Sequence, residues 1–139
     1  MIIRTGLIFF GFLYASTHAQ AQTLCLEDQE IGIWVNDFAD NKKHIARIEI
    51  EAMCNPGTIA HLRIRIRPYC QPRLCTWGWD AARRQADGAL TTSYRTFYAK
   101  RDITIRLVGR RMNVTLNNSY YDDQYTNDQR QFTLWREPD

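Results

Sequence analysis

The chain has 139 residues, 45% hydrophobic and 12% aromatic, with 18 Lys and Arg against 15 Asp and Glu for a formal charge of +3. That length suits one domain rather than two, and the apolar content excludes a disordered or low-complexity chain. The small positive charge excludes a dedicated nucleic-acid binder, in which a basic face dominates the sum.

Residues 1–21 read as a secretory signal peptide. Arg4 supplies the positive start, Gly6–Ala15 is the apolar run, and Ala19-Gln20-Ala21 places small residues where signal peptidase needs them. Cleavage is expected after Ala21, leaving 22–139 as a single domain. The apolar run falls short of the roughly 20 residues that span a bilayer. Leu24 before Cys25 lacks the small residue of a lipobox, so no membrane association is expected after cleavage. The expected setting is secreted or periplasmic.

Outside the cytosol, Cys25, Cys54, Cys70 and Cys75 are expected to pair as disulfides. Four cysteines allow three connectivities. The short loop bent by Pro68 and Pro72 favours Cys70–Cys75, and Cys25–Cys54 would then tie the N-terminal segment to the loop after the second strand. Their spacings do not form paired CxxC elements and no His lies near Cys70, so no metal or other cofactor is expected.

Period-two alternation dominates the rest of the chain. A first strand is predicted over Glu30–Asn36. Ala46, Ile48 and Ile50 then alternate with Arg47, Glu49 and Glu51, and the turn signal Asn55-Pro56-Gly57 leads to Leu62, Ile64 and Ile66 alternating with Arg63, Arg65 and Arg67. Further strands are predicted over Thr76–Arg83 and Leu90–Lys100, with a short helix over Trp79–Gln85 as the competing assignment. Ile103, Ile105 and Leu107 alternate with polar residues, as do Met112, Val114 and Leu116 beyond Gly109-Arg110, and Arg130–Arg136 ends the series. About eight strands, each apolar on one face, predict an all-β fold: a small antiparallel up-and-down β-barrel, whose closure removes exposed edges. A hairpin around Pro56 sets Glu49 and Glu51 opposite the arginine ladder, which then reads as a paired surface rather than an anion site.

Gly32-Ile33-Trp34-Val35-Asn36-Asp37 in the first strand, followed by a meander, resembles the calycin group of lipocalin-like and avidin-like barrels. The resemblance implies a first-strand Trp closing the barrel bottom and an opposite end open to ligand. In avidins the matching Asn contacts bound biotin, which makes Asn36 a candidate ligand contact; Phe38-Ala39-Asp40 depart from the avidin pattern. Trp34-Val35-Asn36, Ile45–Ile50 and the cluster Cys70-x-Pro72-x-x-Cys75-x-Trp77-Gly78 also resemble a group of small secreted bacterial proteins of uncharacterised function, over about Gly32 to Tyr98.

No hydrolytic constellation is legible. His44 and His61 have no motif partner, and paired cysteines are not nucleophiles, so no catalytic residue is expected and the chain reads as a non-enzyme. Carboxylate chemistry by Asp80 and Asp87 is a third possibility without a geometry. Trp77 and Trp79 flank Gly78 just after the cysteine loop, where rigidly held aromatics suit a ligand mouth or a partner contact. Ser119–Gln131 carries three Tyr and three Asp and suits a recognition loop; Asp122, Asp123, Asn127 and Asp128 within it miss the EF-hand spacing. Asn113 and Asn117 begin glycosylation sequons, relevant only in a eukaryotic host. The expected function is capture of a small apolar or aromatic ligand in a barrel mouth by Asn36, Trp77, Trp79, Tyr120 and Tyr121. The alternative is a protein-interaction module, such as an inhibitor of a secreted hydrolase or an envelope-assembly partner.

Overall fold

The computed structural model describes residues 25–138, so the expected signal segment and its cleavage site lie outside the described residues. The strands are β1 (Gly32–Val35), β2 (Ile45–Met53), β3 (His61–Pro68), β4 (Trp79–Ala81), β5 (Arg83–Arg84), β6 (Leu90–Arg95), β7 (Ala99–Val108), β8 (Arg111–Tyr120) and β9 (Asp128–Arg136). They form one antiparallel sheet in the order β4-β3-β2-β1-β9-β8-β7-β6-β5. Its two edge strands are separated in sequence by Ala82 alone, so the chain itself joins the edges into a nearly closed barrel. The β4–β5 unit acts as one stave: β4 pairs with β3, and β5 pairs with β6.

The helix considered for Trp79–Gln85 does not form. The amide of Ala82 donates to Leu62 O at 2.9 Å and that of Gln85 to Ala89 O at 2.8 Å, so the backbone hydrogen bonds of this stretch run to neighbouring strands. The stretch Leu90–Lys100, expected as one strand, is the end of one hairpin arm and the start of the next. Thr96 makes the turn: its hydroxyl accepts the Ala99 amide at 3.1 Å, doing by side chain what Gly or Pro does elsewhere.

The apolar phase of each strand points inward. Trp34, Ile45, Ile48, Ile50, Ile64, Ile66, Leu90, Ile103, Ile105, Met112, Val114 and Leu134 are all essentially inaccessible and form one cluster. Each such side chain contributes about 1.5–3 kcal/mol by leaving water. The middle of the barrel is thus filled with aliphatic side chains.

One end is sealed. Trp34 donates its indole N–H to Glu30 O at 2.9 Å, and the Arg136 guanidinium lies 4.5 Å over its ring while donating to Ile31 O at 2.7 Å. Gly32 faces that guanidinium with φ +135°, and a Cβ there would collide with it. Arg84 joins the seal through Glu30 and Asp28, and the disulfide Cys25–Cys54 ties the segment to the end of β2. Cys70–Cys75 is the second disulfide, closing the loop between β3 and β4.

On the outer face, Glu49 stands opposite Arg65 and Glu51 opposite Arg63. Glu49 is only 7% exposed because Arg47, Arg65 and Arg67 all donate to its carboxylate. Burial pushes its pKa up, but the hydrogen bonds and charges of Arg65 and Arg67 outweigh that and hold it below the usual range.

Candidate functional site

The end opposite the seal carries the connections 37–44, 69–78, 96–98 and 121–127. Residues from all four border a single cavity of about 380 Å³: Lys42 and Lys43 from the first, Trp77 from the second, Tyr98 from the third, Tyr125 and Thr126 from the fourth. The strands beneath supply Arg101, Leu116, Asn118, Tyr120, Asp128 and Arg130.

Strand register explains why these groups converge. Along β8 the inward positions run Met112, Val114, Leu116, Asn118, Tyr120, and the pairing places Arg101 beside Asn118 and Asp128 beside Asn118. The inward face therefore changes from aliphatic to polar in the last turn of the pleat before the loops. Leu116 is the floor; above it the cavity is polar and aromatic.

The polar groups fall into two sets. Asp128 is saturated: it accepts from Asn118 Nδ2 at 2.7 Å, Arg130 Nη2 at 2.9 Å and Tyr120 Oη at 3.3 Å. Its burial favours the neutral acid, yet these donors and the Arg130 charge keep its carboxyl below the ordinary range. Burial and then the Asp128 charge raise the Tyr120 phenol. The second set is Arg101, whose guanidinium carbon sits 4.6 Å from the Trp77 ring centre and 5.1 Å from that of Tyr98. Trp77 also packs on the buried ring of Tyr94, at 5.6 Å between centroids. Arg101 donates to the Tyr98 hydroxyl and, among the described residues, forms no ion pair with a carboxylate.

Of the residues picked from sequence, Trp77 and Tyr120 line this cavity, and the others lie elsewhere. Asn36 uses both ends of its amide on the first connection, donating to Ile45 O at 3.0 Å and accepting from Phe38 N at 3.1 Å. Trp79 pairs with Arg65 and so points outward, under the guanidinium groups of Arg63 at 4.3 Å and Arg65 at 4.6 Å. Tyr121 stands exposed on the rim. The Ser119–Gln131 stretch is shorter as a loop than expected, since the β8–β9 ladder continues to Asn118 opposite Asp128 and leaves 121–127 free. Asp122 and Asn127 there accept the backbone amides of Gln124 and Tyr120. Asp80 borders a separate groove along the β4–β6 seam, and Asp87 pairs with Arg106 near the sealed end.

Sequence reasoning missed Tyr98, Arg101, Asn118 and Arg130, and singled out Asp128 only in a cation pattern that misses the EF-hand spacing. A signal existed: continuing the inward phase past Ile103 and Leu116 reaches Arg101 and Asn118. No family model, curated protein or solved structure matches the chain significantly.

Proposed function

We propose that this is a secreted or periplasmic binding protein, not an enzyme, that holds a small aromatic ligand at the open end of the barrel. The observation that carries this is the convergence of four connections on one cavity walled by Trp77, Tyr98, Tyr120 and Tyr125. A cavity of this size accommodates a ligand of one or two rings, and its four aromatic walls offer faces for such rings to stack on among polar and charged groups that can orient it. Because aliphatic side chains fill the barrel below Leu116, the ligand sits at the mouth and does not descend into a deep apolar calyx. Two disulfides fit an oxidising compartment, and no helix among the described residues is long and apolar enough to cross a membrane. The calycin-like reading is supported by Trp34 lying at the sealed end, opposite this mouth.

Trp77 is the one indole bordering the cavity; Trp34 is buried at the seal, and Trp79 and Trp135 lie on the outer face. Screening small aromatic metabolites by tryptophan fluorescence is expected to yield ligands whose signal vanishes in Trp77→Phe and persists in Trp79→Phe. A response that persists in Trp77→Phe would refute the placement, and the absence of any response would refute the function.

A protein partner is the second reading, favoured by Phe38 at 82% and Phe97 at 94% exposure on two of the same connections. Exposed aromatic rings on the same rim as the cavity give a protein partner apolar surface to bury. Recovery of a partner from periplasmic extract by wild type but not by a Phe38→Ser/Phe97→Ser variant would favour it over the small ligand.

A further inference from the structure

We infer that the ligand of this mouth carries a negative charge, a carboxylate or phosphate on an aromatic ring, and that Arg101 is the group that receives it. The inference rests on the mouth being the binding site and adds the ligand's chemical class.

Arg101 sits on the inward face of β7, opposite the buried Tyr94 on one side and Asn118 on the other. Arg101 is half-buried, so its charge has given up part of its water and gains from any group that compensates it. Among the described residues Arg101 has no ion-pair partner: Asp128, the acid bordering the cavity, is already engaged by Arg130, Asn118 and Tyr120. What holds Arg101 is the aromatic faces of Trp77 and Tyr98, an attraction that fixes the plane of the guanidinium without consuming its N–H groups. Among the described residues its Nε and Nη1 donate to no protein acceptor; the one side-chain hydrogen bond runs from Nη2 to Tyr98. Stacked guanidinium groups with free edges recognise planar carboxylates and phosphates by paired, charge-assisted hydrogen bonds.

The cavity lining itself is mostly of that sign. Lys42, Lys43, Arg101 and Arg130 border the cavity with Asp128 as the only acid among its lining residues. Lys42 and Lys43 form no ion pair among the described residues, so they remain to attract an anion and to contact it at the rim. The outer arginine ladder differs in this respect, since Glu49 and Glu51 already accept from Arg47, Arg63, Arg65 and Arg67.

The test compares 2-naphthoate, 2-naphthyl phosphate and the neutral 2-naphthamide by isothermal titration calorimetry on the mature, disulfide-bonded protein. One or both anions should bind at least tenfold more tightly than the amide, and which of the two binds better separates carboxylate from phosphate. Arg101→Met removes the guanidinium that lies over Trp77 and leaves an uncharged chain of similar reach, so it should lower anion affinity tenfold or more and leave amide affinity within twofold. Should that variant fail to fold, Lys42→Gln/Lys43→Gln, at exposed loop positions, should lower anion affinity severalfold and flatten its salt dependence. Equal affinity for anions and amide would overturn the charge assignment while leaving the mouth as a binding site. No binding of any of the three would overturn both, and unchanged anion affinity in the folded Arg101→Met variant would overturn the role of Arg101.

Discussion

The two disulfides close loops of very different length, and that difference predicts how much each stabilises the fold. Cys25 and Cys54 are separated by 29 positions, Cys70 and Cys75 by 5. If a crosslink acts by reducing the entropy of the unfolded chain, these separations correspond to about 3.6 and 2.1 kcal/mol at 25 °C. The native contacts of the first bridge do not depend on it alone, because Glu30 and Asp28 are also held by Arg84, and Ile31 O by Arg136. Replacing Cys25 and Cys54 by Ala should therefore leave the barrel intact and lower the urea midpoint by about 2.4 M, taking a slope of roughly 1.5 kcal/mol/M. The Cys70→Ala/Cys75→Ala variant should lose about 1.4 M on the same basis. Equilibrium unfolding followed by far-UV circular dichroism gives both numbers. Equal losses, or a larger loss for the shorter loop, would refute the loop-entropy reasoning.

Gly32→Ala forces a left-handed backbone on a residue with a Cβ and drives that Cβ into the Arg136 guanidinium, so it should cost about 1–3 kcal/mol, read as a lower urea midpoint. Glu49→Gln leaves three arginines facing one another around a neutral side chain; because they can turn toward water, the expected loss is about 2 kcal/mol, below that of a fully buried pair. The carboxyl pKa values of Glu30, lowered chiefly by the Arg84 hydrogen bond, and of Glu49 lie below their ordinary 4.5 in the folded state. Their contribution is thus fully present above that value and is lost as pH falls through the folded pKa values. Stability measured by urea unfolding should be flat from neutrality to about pH 5 and fall below it; Glu49→Gln should show a shallower fall, and an identical slope would contradict the assignment. Trp79→Ala should leave mouth binding unchanged, since its ring lies on the outer face.

Much of the barrel was legible because burial on one face imposes a period of two. Ala46, Ile48 and Ile50, and likewise Met112, Val114 and Leu116, turn inward as their alternation requires, and the charge match of Glu49 and Glu51 with the arginine ladder reflects true cross-strand register. The pairing Cys70–Cys75 followed from loop length. The turn at Thr96 was hidden because a hydroxyl replaces the usual Gly or Pro. The mouth was only partly legible. Whether Trp79 faces in or out depends on its pairing with Arg65, a long-range register that local sequence does not encode. Arg101 escaped notice because an alternation followed only through apolar residues stops where the barrel wall becomes polar, and that change marks the mouth itself.

Amide and indole NMR spectra of the protein titrated with 2-naphthoate test most directly whether ligand is held above a packed interior. The predicted shifts gather at Trp77, Tyr98, Arg101, Tyr120 and Asp128, while Gly32, Trp34 and Leu134 at the sealed end and Arg65 on the outer face stay in place. Shifts centred on the sealed end or the arginine ladder, or none at saturating ligand, would contradict it.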